Sequence, residues 1–136
     1  MPSKFPDKFD DVTLFRKANV YYDGQVVSYN VTFKDGKRKR IGVILPGVYK
    51  FRSDGTEKLD ITSGSCRVRQ ANEGEWETYN AGDTFVVPDW SYFEIAVDEG
   101  VLEYITLQRY MLRHLQRSQF SFPVREISPM VLHLYP

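Results

Sequence analysis

Turn residues recur at short intervals along most of this chain, and that feature limits its fold more than any other. Between residues 13 and 107, runs rich in β-branched and aromatic side chains alternate with clusters of Gly, Asp, Asn, Ser and Pro. Pairs such as Asp23-Gly24 and Asp35-Gly36 supply the positive φ angles that tight hairpins need. Turn signals at intervals of about eight to twelve residues are typical of a β-sandwich or a β-barrel. We therefore predict one all-β domain over residues 13–107.

The runs also alternate between apolar and polar side chains, as strands with one buried face do. In one run, Leu59 and Ile61 fall on the same face as Glu57, and in the next run Arg67 and Arg69 share a face. This pattern predicts a carboxylate on the same face as two core residues, and two arginines together on one face of a neighbouring strand.

Composition and charge argue against several classes of function. Lys plus Arg equals Asp plus Glu at 18 each, whereas general nucleic-acid binding rests on excess positive charge. The single cysteine, Cys66, cannot form an intrachain disulfide. No apolar run approaches the ~20 residues that cross a bilayer, and residues 1–11 do not resemble a secretory signal. We expect a cytoplasmic protein with neither a nucleic-acid nor a membrane partner.

The two ends of the chain differ from its middle. Residues 1–12 carry charges and prolines without periodicity, which predicts a flexible lead-in. Residues 108–136 form a C-terminal extension that we expect to pack on the barrel or on a partner subunit. Helical spacing links Leu107, Tyr110, Met111 and Leu115, so a short helix is predicted at its start.

Two segments resemble the paired signatures of the cupin superfamily. Glu57 precedes Gly64 by seven residues, which is the spacing between the cupin glutamate and its turn glycine. Gly82 and Pro88 enclose five residues, as at the start of the second cupin signature. The resemblance implies a cupin-type β-barrel, also called a double-stranded β-helix or jelly roll, with Glu57 facing its interior.

Both signatures lack the histidines that hold a metal ion in metal-dependent cupins. The positions before Glu57 carry no histidine, Phe93 follows Pro88, and the only histidines are His114 and His133 near the C-terminus. One carboxylate does not hold a transition metal in a stable site. We therefore predict no metal site and no cofactor.

Longer stretches carry a closer resemblance. They are residues 18–24 (ANVYYDG), 38–39 (RK), 42–51 (GVILPGVYKF) and 76–82 (WETYNAG). Over about residues 15–104 their order and spacing resemble the pyrimidine/purine nucleoside phosphorylases, a family of compact single-domain cupins. The resemblance implies phosphorolysis of many nucleosides to free base and ribose 1-phosphate, with phosphate as co-substrate. It also implies a homodimer and a role in nucleotide salvage.

Phosphorolysis requires side chains that hold an anion. The phosphate candidates are Arg38, Lys39, Arg52, Arg67 and Arg69, because guanidinium forks match phosphate oxygens and lysine supplies a point charge. The resemblance adds weight to Arg38, which is also a catalytic candidate, and to Lys39. Lys37 and Arg40, in contrast, are interpreted as a solvated hairpin edge. At Arg40 the chain also departs from the family, which tends to have a small polar residue there.

The ribose and the base require other side chains. Glu57 is the catalytic and ribose-binding candidate, and the alternative for it is a structural bridge to an interior arginine. Tyr49, Phe51 and Phe93 are the candidates for contact with base and ribose, within a wall of rings that also includes Phe85 and Trp90.

Two other functions stay open at this point. One is a non-catalytic, metal-free cupin that binds a small sugar or a nucleoside. The other is a structural dimerisation module, which predicts a packed, closed barrel without a concave polar pocket.

Overall fold

The computed structural model of the protein describes residues 4–53, 55–71 and 74–108. This part of the chain forms eleven strands and one short 3₁₀ turn, at Tyr22–Gly24. The prediction of an all-β protein is therefore confirmed. The strands are β1 (Thr13–Leu14), β2 (Asn19–Tyr21), β3 (Val26–Thr32), β4 (Arg38–Ile44), β5 (Gly47–Arg52), β6 (Glu57–Ser63), β7 (Ser65–Gln70), β8 (Glu77–Asn80), β9 (Thr84–Val87), β10 (Tyr92–Val97) and β11 (Leu102–Gln108).

The strands make two antiparallel sheets. The first has the order β1-β3-β4-β11-β6-β9, with β2 also paired to β3, and the second has the order β5-β10-β7-β8. Because β11 pairs with both β4 and β6, strands far apart in sequence lie side by side at the centre of the first sheet. The predicted helix beyond Gln108 lies outside the described residues.

The core lies between the two sheets, on the faces that the alternation predicts. Leu59, Ile61 and Glu57 are buried together on β6, and Cys66 and Val68 are buried on β7. Aromatic side chains contribute much of the packing between the sheets. The buried core residues are Val26, Ile44, Tyr49, Leu59, Ile61, Cys66, Val68, Phe85, Val87, Phe93, Ile95, Val97, Leu102 and Tyr104.

The inner face of the first sheet changes from apolar to polar along its strands. Three rows of directly paired residues cross β3, β4 and β11: Val26–Ile44–Leu102, then Ser28–Gly42–Tyr104, then Asn30–Arg40–Thr106. Glu57, which pairs with Gln108, lies at the same end of the sheet as the third row. We call this region, defined by Asn30, Arg40, Glu57 and Thr106, the polar end of the barrel.

The outer face of the first sheet contacts the N-terminal segment. Residues 4–12 contain no helix or strand, and the Phe9 ring packs edge-on against Phe33 with 5.1 Å between centroids. No helix among the described residues is long and apolar enough to cross a membrane.

Candidate active site

Glu57 is the acidic group at the polar end of the barrel, and the structure places it inside. It begins β6, and 8% of the residue is exposed. A buried carboxylate is costly unless a partner compensates its charge. Arg40 Nη1 lies 4.0 Å from Glu57 Oε2, which is an ion-pair distance but longer than a hydrogen bond. An interior arginine of the kind predicted as the alternative for Glu57 is therefore present.

The interpretation of Arg40 as part of a solvated edge is wrong. Its side chain is 33% exposed and turns toward Glu57 from the inner face of β4. The reason is the strand period: Arg40 lies two residues from buried Gly42 and four from buried Ile44. The sequence contains this alternation, but the basic cluster at residues 37–40 favoured the interpretation as a solvated edge.

Arg38 lies on the same face of β4 as Arg40, two residues closer to the hairpin, and is exposed. Arg38 and Arg40 both line a cleft of about 510 Å³ at this end of the first sheet. Its lining includes Asn30, Thr32, Arg38, Lys39, Arg40 and Thr106. The structural dimerisation module, one of the alternative functions, predicts no concave polar pocket. The cleft therefore argues against it.

Two tyrosines that were not among the predicted site residues interact electrostatically with the ion pair. Burial raises the pKa of Tyr21, and the charges of Arg40 and Glu57 act on it in opposite directions. Burial likewise raises the pKa of Tyr104 to about 12, and Arg40 partly opposes this shift. Both phenols are therefore neutral at physiological pH and able to donate hydrogen bonds.

Ser28 connects Tyr104 to the edge of the sheet. Its hydroxyl is hydrogen-bonded to Tyr104 and accepts a bond of 3.1 Å from Asn19 Nδ2. Ser28 is 1% exposed, so this chain of polar groups is fixed within the barrel. It holds the Tyr104 ring in place beside the charged pair.

The second sheet brings two of the predicted rings toward this region. Phe51 and Phe93 are directly paired on β5 and β10, with 5.8 Å between ring centroids. The ring of Tyr21 packs edge-on against Phe51 with 6.2 Å between centroids. Phe93 also packs edge-on against Phe85, with 6.1 Å between centroids, and Phe85 pairs with Leu59, two residues from Glu57. The two rings therefore lie toward the polar end of the barrel.

Other predicted site residues lie elsewhere. Tyr49 is 5% exposed, and its hydroxyl lies 2.8 Å from Leu45 O and 2.9 Å from Pro46 O within the core. Lys39 points outward, with its ammonium 5.5 Å from the ring centroid of Phe9. Tyr49 is thus separated from Glu57, because it lies near the β4–β5 turn. Lys39 is on the face of β4 opposite Glu57, although it also borders the cleft at this end of the sheet.

The remaining arginines lie on the outer face of the second sheet. Arg67 pairs with Asp98 at 2.9 Å, and Arg69 pairs with Glu94 at 2.7 Å. Both guanidinium groups also stack on Trp76. These placements argue against a phosphate site shared with Glu57, because the inward neighbours Cys66 and Val68 force the arginines outward.

Arg52 and Trp90 are both exposed. Arg52 ends β5 on the face opposite Phe51, so it too lies outside the barrel. Trp90 is 73% exposed and has a φ of 54°, an uncommon conformation for a bulky residue. It follows Val87, which pairs directly with Glu57, so the Trp90 turn adjoins the polar end.

Among the described residues, no group of three or more His, Cys, Asp or Glu side chains is placed to hold a metal ion. The absence of a metal site stays a prediction, because His114 and His133 lie outside the described residues.

The family relationship follows from comparison with known proteins. The family model of pyrimidine/purine nucleoside phosphorylase matches residues 16–107, which include every residue that defines the polar end. The chain belongs to the pyrimidine/purine nucleoside phosphorylase family. A member of that name from Paraburkholderia xenovorans is 46% identical over 98 residues, covering 72% of this chain and 92% of the relative.

Solved structures identify the fold. A crystal structure of a protein of unknown function from Acinetobacter sp. ADP1 is 42% identical and has a TM-score of 0.73. The similarity covers 75% of this chain and 98% of that one. An RmlC-like cupin with a double-stranded β-helix from Methanocaldococcus jannaschii has a TM-score of 0.56 at 17% identity, covering 75% and 96% of the two chains. The predicted cupin fold is confirmed.

Proposed function

We propose that this protein is a nucleoside phosphorylase, a pentosyltransferase that uses phosphate to cleave purine and pyrimidine nucleosides. Family membership supports the reaction class. The observation that carries the location of the reaction is the buried Glu57 carboxylate facing Arg40, at the polar end of a barrel whose opposite wall carries Phe51 and Phe93.

In the proposed reaction, a phosphate oxygen forms a bond to C1′ of the ribose while the bond from C1′ to the base nitrogen breaks. The bonding electron pair stays on the base nitrogen, and that base takes up a proton. Hydrogen phosphate loses one proton, which equals the proton that the base gains. The products are free base and ribose 1-phosphate. No covalent enzyme intermediate and no cofactor enter this scheme.

Glu57 serves the sugar in this proposal. Its carboxylate accepts hydrogen bonds from ribose hydroxyls and stabilises the positive charge that develops at C1′. Because the group is nine-tenths buried, that interaction operates with little screening by water. Tyr21, which packs against Phe51 and interacts electrostatically with Arg40 and Glu57, positions the ribose against the carboxylate.

Phe51 and Phe93 serve the base. An aromatic face stacks on any nucleobase, which suits an enzyme that accepts both purines and pyrimidines. Phe51 is the more accessible of the two rings, whereas Phe93 is 4% exposed and supports it from below. The same proposal includes a homodimer that acts in nucleotide salvage in the cytoplasm.

The test is phosphate-dependent base release. Wild-type protein is incubated with uridine or inosine, with and without phosphate, and free base and ribose 1-phosphate are measured. We expect release only with phosphate. Glu57→Gln is expected to lower kcat/KM about 100-fold, because a neutral amide no longer stabilises charge at C1′.

Glu94→Gln is the matched control, since Glu94 is a carboxylate paired to an arginine on the outside of the barrel. It is expected to keep wild-type activity. If no common nucleoside releases its base in a phosphate-dependent way, the proposal is wrong. Nucleoside binding without turnover would instead favour a ligand-binding cupin.

A further inference from the structure

Thr106 carries a buried hydroxyl that the fold leaves without a partner. The residue is 3% exposed, and its Oγ1 has no hydrogen-bond partner among the described residues. Burying a hydroxyl without a partner is unfavourable, so such a group in a native structure calls for an explanation. A strand position favours a β-branched side chain, and valine has that shape without a hydroxyl, so strand formation does not account for the hydroxyl here.

Thr106 lies beneath the charged pair. It is on β11, between β4 and β6, and pairs directly with Arg40 on one side and with Leu59 on the other. Directly paired residues on one sheet face have Cβ atoms about 4.5–5.5 Å apart. Arg40 therefore crosses over β11, close to Thr106, as it extends toward Glu57.

The surroundings of Thr106 favour an anion. Arg38 and Arg40 line the same cleft as Thr106, and the lining residues include no Asp or Glu. One guanidinium carries five N–H donors, more than a single contact with Glu57 uses. Guanidinium groups and a hydroxyl around one cavity form a donor set that matches the oxygens of a tetrahedral oxyanion.

We propose that Thr106, Arg40 and Arg38 form the phosphate subsite, with the Thr106 hydroxyl hydrogen-bonded to a phosphate oxygen and the two arginines supplying the charge. The inference rests on the proposed function, because phosphorolysis identifies the anion as inorganic phosphate. It places the attacking phosphate on the first sheet, between Glu57 and the β3–β4 hairpin. The base then occupies the side of the cavity nearer the second sheet.

The experiment is calorimetric titration of the full chain with inorganic phosphate, without nucleoside. Thr106→Val keeps the shape and removes the hydroxyl, and we expect its Kd for phosphate to rise about tenfold, as for loss of a hydrogen bond to a charged group. Thr106→Ser restores the hydroxyl and is expected to bind within about threefold of wild type. Arg38→Gln changes an exposed residue. We expect it to raise the Kd for phosphate and to make that Kd depend less on salt concentration, because one charge is lost.

Arg67→Gln is the matched control, because Arg67 lies on the outer face with Asp98. It is expected to leave phosphate affinity unchanged. In steady-state kinetics, Thr106→Val should raise KM for phosphate and leave KM for nucleoside unchanged.

The outcomes separate the two proposals. If Thr106→Val binds phosphate with wild-type affinity, the subsite is wrong even if the protein carries out phosphorolysis. Should that variant fail to fold, wild-type affinity in Arg38→Gln would lead to the same conclusion. Thr106-dependent phosphate binding without base release from any nucleoside would support the subsite and reject the phosphorylase.

Discussion

Tyr104 shows how one residue connects the core to the site. Its ring belongs to the buried cluster between the sheets, while its phenol lies beside Ser28 and senses the charge of Arg40. The sequence pattern did not single out this residue. Its polar role depends on which residues of β3 and β4 lie opposite, and these come from distant parts of the chain.

Because of Tyr104, we expect the free energy of unfolding to depend on pH in the alkaline range. Burial raises its pKa from 10.0 to about 12 in the folded protein, so between these values the unfolded chain releases a proton that the folded protein keeps. The stabilisation is therefore complete below pH 10 and is lost as the pH rises toward 12.

We expect the free energy of unfolding to fall in this window, with Tyr104 contributing at most about 1.4 kcal/mol per pH unit. Urea unfolding at several pH values measures the slope. Tyr104→Phe should make the fall shallower, and equal slopes in the two proteins would contradict this explanation.

At the scale of the element, strand β4 fixes the site through a close approach. A Cβ at Gly42 would lie 2.6 Å from Val27 O and 2.8 Å from Tyr104 Oη, distances that real Cβ atoms do not adopt. Glycine at this position thus lets Tyr104 pack against the sheet. Arg40 then follows two residues away on the same face, with room to reach Glu57.

Gly42→Ala is therefore expected to destabilise the protein by about 1–3 kcal/mol, since the backbone carbonyl of Val27 cannot move without disturbing β3. Gly74→Ala is the matched control, because no atom of the part of the chain that the structure describes lies within 4 Å of a Cβ there. Chemical unfolding compares the two variants. Equal stabilities would show that the sheet accommodates a methyl group at Gly42.

Individual strands also show which features could be predicted from the sequence. Alternation within one strand correctly assigned the buried faces of β6 and β7, because the period of two is a local property. The contact of Arg40 with Glu57 across β11 was missed, since it depends on the register of three strands that are distant in sequence. Thr106 was missed for the same reason: only the fold shows that its hydroxyl is buried without a partner.

At the scale of the whole molecule, the barrel is divided along its length. One end is filled by apolar rows such as Val26–Ile44–Leu102, and the other carries Asn30, Arg40, Thr106 and Glu57. Cupin signatures and family stretches in the sequence were enough to predict the fold. They did not reveal that, of the five predicted phosphate candidates, Arg38 and Lys39 line the cleft at the polar end, whereas Arg52, Arg67 and Arg69 do not.

We propose that nucleoside and phosphate both bind at the polar end of the barrel. Crystal structures of the wild-type protein, one grown with inosine in phosphate-free solution and one with phosphate alone, would show where each binds. We expect ribose hydroxyls within hydrogen-bond distance of Glu57, the base against Phe51, and phosphate between Arg38, Arg40 and Thr106. Ordered nucleoside on the outer face of either sheet, or phosphate bound at Arg67 and Arg69, would contradict it.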